Sequence, residues 1–70
     1  MVEINKTGRL IEQMRREKNM TQAELADAVG VSKQAVSNWE RVKRFPDVSL
    51  IESLSETLGV SAAELIKGER

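Results

Sequence analysis

Lys33, Gln34, Ser37, Asn38 and Arg41 fall at i, i+1, i+4, i+5 and i+8 of the stretch GVSKQAVSNWER. On a helix this spacing lays five hydrogen-bonding side chains along one stripe, with Val36 and Trp39 on the opposite side. Reaction chemistry has little to draw on elsewhere in the chain. With no cysteine and no histidine among the 70 residues, thiolate chemistry, disulfides, the commonest metal ligand and the commonest general base are all missing. The acids Glu12, Glu17, Glu24, Asp27, Glu52 and Glu56 form no clustered loop of the calcium-binding type, and capping and solvation account for them. No catalytic residue, metal or cofactor is expected.

Net charge is zero, from 11 basic and 11 acidic residues, but the distribution is uneven. Nine of the basic residues (Lys6, Arg9, Arg15, Arg16, Lys18, Lys33, Arg41, Lys43, Arg44) and seven of the acids lie at or before Asp47. Between Lys33 and Arg44 there are four basic residues and a single acid, Glu40, so a positive face can exist on a neutral protein. The same charges also describe an ordinary solvated surface. The longest apolar runs are only two or three residues, too short to span a bilayer, and the N-terminal MVEINKTGRL lacks the apolar core of a signal peptide. A soluble, cytoplasmic protein without a membrane partner is the expectation.

The elements that must position the stripe are helices. Apolar spacing is helical throughout, and the starts are legible from local capping signals. In MTQAEL, Thr21 caps, Glu24 completes a capping box, and Met20 and Leu25 form a hydrophobic staple. VSAAEL repeats the device with Ser61, Glu64, Val60 and Leu65. VSKQAV has the cap Ser32 and the staple Val31 with Val36, but Ala35 stands where the box needs an acid, so the protein occupies the amides there less fully. The spacing predicts helices over about 6–18, 22–29, 33–41, 49–58 and 62–67. Asn19 is suited to a left-handed terminal position after the first, and Gly30, Gly59 and Gly68 end the second, fourth and fifth. Pro46 disfavours helix at Phe45, so RVKRFPDV is a loop, with Asp47 or Ser49 capping the fourth helix. Inward positions are Ile11 and Met14, then Leu25, Ala26 and Val29, then Leu50, Ile51, Leu54 and Leu58. The chain reads as one all-α domain over 1–70, since 70 residues make at most one core.

The second and third of these helices are joined by a short turn containing Gly30, with small Ala26 one turn earlier. That is the signature of a helix-turn-helix, although antiparallel hairpins have similar loops. TQAELADAVGVSKQAVSNWER resembles the helix-turn-helix of the lambda repressor and Cro superfamily, with Gln22, Ala26, Gly30, Val31, Ser32, Val36, Trp39 and Glu40 in register. GRLIEQMRREKNMTQ is similar to that family's first helix, and FPDVSLIESLSETLGVSAAELI to its fourth and fifth. The resemblance implies a compact five-helix, lambda-repressor-like DNA-binding domain. One departure stands out: family members commonly carry glycine after WER, whereas this chain has Val42, a residue that does not readily take a left-handed conformation.

The resemblance implies roles residue by residue. The third helix enters the major groove. The positions of Lys33, Gln34 and Asn38 face bases or the adjoining backbone, with Ser37 between them. Gln34 offers a donor and an acceptor to adenine, and Lys33 donates to guanine O6 or N7. Phosphate contacts are expected from Gln22, Ser32, Arg41, Lys43 and Arg44, with Lys6 and Arg9 as weaker candidates. Arg15 and Glu40 match a structural ion pair of the family. Trp39, three residues from Val36, belongs to the packed side rather than to a base stack, and Phe45 should pin the loop. The implied partner is double-stranded operator DNA with repeated half-sites, bound by two copies. Pairing would use the fifth helix, through Leu65, Ile66 or Ala62, or a further C-terminal region, although those residues also suit a core. A protein-interaction module of adaptor or antitoxin type, using the same stripe, is the competing reading.

Overall fold

The computed structural model describes the backbone of residues 4–70 and the side chains from residue 6 onward. Among these residues there are five α-helices: α1 (Ile4–Glu17), α2 (Gln22–Val29), α3 (Lys33–Glu40), α4 (Ile51–Leu58) and α5 (Ala62–Lys67), with a 3-10 turn at Val48–Leu50. The second and fifth helices have the expected bounds. The first starts two residues earlier than expected and ends at Glu17. The third ends at Glu40, with Arg41 as its cap. The spacing places the start of the fourth at residue 49; instead Asp47 Oδ1 accepts from the Ser49 amide at 2.9 Å, which tightens the entry into a 3-10 turn before the α-helix begins at Ile51.

Both predicted capping boxes form. Thr21 Oγ1 accepts from the Glu24 amide while Glu24 Oε1 accepts from the Thr21 amide, and Ser61 and Glu64 repeat the pattern. Each arrangement satisfies two orphan amides from side chains three residues apart, which is why the sequence displays it. At α3 only Ser32 Oγ accepts, from the Ala35 amide at 3.2 Å.

All five helices contribute to one hydrophobic cluster, centred on Ile11, Leu25, Val36, Leu54, Leu58 and Leu65. Leu65 is 0% exposed. It therefore belongs to the core and offers nothing to a second copy, contrary to the expected pairing surface; of that surface Ala62 is exposed and Ile66 half-buried. Two contacts in α1 lock the assembly. Thr7 Oγ1 donates towards the carbonyls of Leu65 and Ile66, at 3.0 and 3.1 Å, joining α1 to α5. Gly8 faces the end of α3 so closely that a Cβ there would collide with the Trp39 carbonyl oxygen. Sequence pattern signals neither contact. Both join residues far apart in the chain.

Candidate nucleic-acid interface

The outward stripe forms as its spacing predicts. Val36 and Trp39 are buried at 0% and 4% exposure, which turns the Lys33, Gln34, Ser37 and Asn38 side of α3 outward. Lys33 and Gln34 are exposed, Ser37 and Asn38 half-buried, and Arg41 exposed just beyond the last turn. Trp39 is thus a packing residue. Phe45 packs against the core as expected, while Lys43 and Arg44 stand exposed in the loop that it pins.

Behind the stripe lies a buried polar network. Arg15 Nε and Nη2 donate to the two carboxylate oxygens of Glu40 at 2.7 and 3.0 Å. A planar guanidinium matches a carboxylate in this two-pronged way, and the match ties α1 to α3. A third Arg15 donor goes to the Met20 carbonyl, through Nη1 at 2.7 Å. The hydrogen bond to Glu40 holds the Arg15 guanidinium above its already high pKa, against the opposing effect of burial. The expected ion pair is therefore present, and it has a third member: Gln22 Nε2 donates to Glu40 Oε1 at 3.1 Å. Gln22 sits at the first position of α2, so this bond orients its amide across the turn towards α3 and leaves Gln22 Oε1 and one N–H outside the network.

The inward turn of Glu40 decides the electrostatics of the surface. Glu40 is the only acid between Lys33 and Arg44, and its side chain is 3% exposed. The outer surface of that segment therefore carries Lys33, Arg41, Lys43 and Arg44 with no negative group interleaved. Among the described residues none of these four cations forms an ion pair. Lys6, Arg15, Arg16 and Arg70 elsewhere are paired, to Glu69, Glu40, Glu12 and Glu17. Lys6 is thus engaged by a carboxylate of the C-terminal segment, which weakens its expected phosphate role.

The loop after α3 is closed by an unexpected conformation. Val42 has φ of 62°, in the left-handed region that its residue type argues against. The Val42 amide donates to the Trp39 carbonyl at 3.2 Å and the Lys43 amide to the Asn38 carbonyl at 2.8 Å. These are the two bonds of a Schellman closure, normally made around glycine. The buried Trp39 and the half-buried Phe45, packed against the core, fix the chain on either side, so the geometry is imposed despite the β-branched side chain. The closure turns the chain out of α3 with Arg41, Lys43 and Arg44 all exposed around it.

Ser32 Oγ accepts the Ala35 amide and keeps its hydroxyl hydrogen for an outside acceptor. Ser32, Lys33, Gln34, Arg41, Lys43 and Arg44 are exposed and Gln22, Ser37 and Asn38 half-buried, from the start of α2 to the loop after α3. The α3 part of this set is built on a helix and rich in donors. It suits a groove lined by acceptors and flanked by negative charge.

A helix-turn-helix family model matches residues 11–65. The HTH-type transcriptional activator BcrR of Enterococcus faecalis is 37% identical over 59 residues, which cover 84% of this chain and 29% of that protein. This chain therefore spans under a third of that relative's length. Among solved structures, the P22 c2 repressor in complex with a synthetic operator superposes with a TM-score of 0.85 at 36% identity, covering 90% of this chain and 96% of the repressor chain in that structure. SinR, described as the master regulator for biofilm formation and solved in complex with DNA, superposes with a TM-score of 0.75 at 37% identity, covering 84% and 95%.

Proposed function

The chain belongs to the helix-turn-helix family of the lambda repressor and Cro type, and on that premise we propose that it regulates transcription by binding double-stranded DNA at a specific sequence, with α3 in the major groove. Lys33, Gln34, Ser37 and Asn38 meet base edges. Ser32, Arg41, Lys43, Arg44 and the outer half of the Gln22 amide meet phosphates. Phosphate contacts place the helix, and base contacts select the sequence. Two copies bind half-sites about one helical turn apart, in the cytoplasm.

The observation that carries this reading is the burial of Glu40 against Arg15, which leaves four unpaired cations and no acid on the outer surface from Lys33 to Arg44. A domain of zero net charge has no overall attraction for a polyanion, and gathering four unpaired cations within the segment that bears the amide stripe creates a local one.

The test is selection of bound duplexes from a random pool at modest salt, with the Lys33→Ala, Gln34→Ala double variant run in parallel. A short half-site enriched by the native chain and lost by the variant is the expected result. No enrichment by a folded protein overturns the reading. Affinity for the selected site should fall with salt at a log–log slope of about −3 to −4 per chain, if all four cations displace counterions.

A further inference from the structure

Gln34 Nε2 donates to Asn38 Oδ1 at 3.1 Å, across one turn of α3. Both residues lie on the outward stripe, and the Asn38 backbone carbonyl is held by the Lys43 and Arg44 amides at 2.8 and 3.3 Å, which anchors that end of the pair. We infer that Gln34 and Asn38 read neighbouring base pairs as one linked unit, so that the base preferred by Gln34 depends on the base facing Asn38. This rests on the DNA-binding reading above.

The chemistry comes from what an amide presents. Each side chain has one acceptor oxygen and an NH2 donor, and the bond between them uses one of each. In the observed arrangement Gln34 keeps Oε1 and one N–H free, the pattern that matches the N6 donor and N7 acceptor of adenine. Asn38 keeps its two N–H donors, which match an acceptor such as thymine O4 or guanine O6. To read guanine, which offers only acceptors at N7 and O6, Gln34 must turn both N–H groups outward and its oxygen towards Asn38. Asn38 must then turn as well, donating Nδ2–H to Gln34 and leaving Oδ1 free for the N4 donor of cytosine or the N6 donor of adenine. The two amides rotate together, because any mixed state sets oxygen against oxygen or NH2 against NH2. Side chains one helical turn apart start about 5–6 Å from each other at Cβ, and the hydrogen bond draws the two amides together, so neighbouring base pairs, about 3.4 Å apart along the duplex, lie within reach of the pair.

The experiment measures affinity of the full chain for the selected operator with all sixteen combinations at two positions: the one where Gln34→Ala loses preference and the one where Asn38→Ala does. The native chain should show non-additive preferences. A mismatch at the first position should regain about threefold to tenfold in affinity when the second is changed to suit the rotated pair, as expected for one exposed hydrogen bond kept or lost. In Asn38→Ala, whose fold is checked by helical circular dichroism, the dependence on the second position should vanish. Additive preferences within about twofold across the sixteen duplexes overturn the inference while leaving the DNA-binding reading standing. Failure of a folded chain to bind any duplex overturns both.

Discussion

Among the described residues, five close helices with positive φ: Asn19, Gly30, Val42, Gly59 and Gly68. Only Val42 of these is β-branched. A left-handed L-residue costs about 1–2 kcal/mol, of which glycine's greater freedom in the unfolded chain recovers part. Val42→Gly should therefore stabilise the protein by about 1 kcal/mol, read from the urea midpoint at unchanged m-value. Gly30 has open space around it but a φ of 79°, so Gly30→Val should move the midpoint the other way. A lower midpoint for Val42→Gly would show that the valine side chain contributes packing that outweighs the strain. Glu40 sets the second residue-scale expectation. At 3% exposure it relies on Arg15 for neutralisation, and Arg15→Ala should cost about 3–5 kcal/mol by stranding the carboxylate. Replacing both residues with apolar ones should cost far less than the sum, and a double-mutant cycle on unfolding measures that coupling.

At the scale of elements, α1 and α3 are held apart by the width of a glycine. Gly8→Ala would push a methyl group into the Trp39 carbonyl; overpacking of this kind costs about 1–3 kcal/mol. Because the displaced element is the one proposed to enter the groove, operator affinity should fall beyond the loss of folded protein. An unchanged affinity per folded molecule would show that α3 does not shift. The contrast between Gly8 and Thr21 explains what is legible in the sequence. Capping boxes, staples and glycine stops act within three or four residues, so Thr21, Ser61 and the helix-ending glycines announce five helices and an outward stripe. The Gly8–Trp39 contact, the Thr7 bonds to α5 and the Gln22 bond to Glu40 span large separations and leave no local periodicity to read. The entry into α4 departs from its expected position because Asp47 and Ser49 both suit a cap: Asp47 caps a 3-10 turn at Val48–Leu50, and α4 begins after Leu50 with no side-chain cap of its own. The arginine–glutamate pair is accessible only through the resemblance, since charge counting places Glu40 on the surface.

For the whole molecule, the absence of histidine makes pH behaviour simple. No side chain with an ordinary pKa titrates between about pH 5 and 8. Among the described residues, the folded state holds four carboxyls below their ordinary values: Glu17 through hydrogen bonds from Arg70 and Gln13, Asp47 and Glu64 through the Ser49 and Ser61 amides, and Glu69 through Lys6. A depressed carboxylate contributes stability that is complete above its unfolded pKa and is lost as pH falls through the folded value. The urea midpoint should accordingly stay level from about pH 7 to about 5 and drop below that, and Asp47→Asn with Glu64→Gln should shallow the drop. Each of these experiments must separate unfolding from loss of DNA, and Trp39 supplies the means. It is the sole tryptophan, in a chain with no tyrosine, and its indole is buried on the side of α3 away from the proposed groove. Its emission should therefore be blue-shifted in the folded chain, move to the red on unfolding, and hardly change when a duplex binds, so that the chain carries its own optical gauge of foldedness, uncontaminated by the ligand.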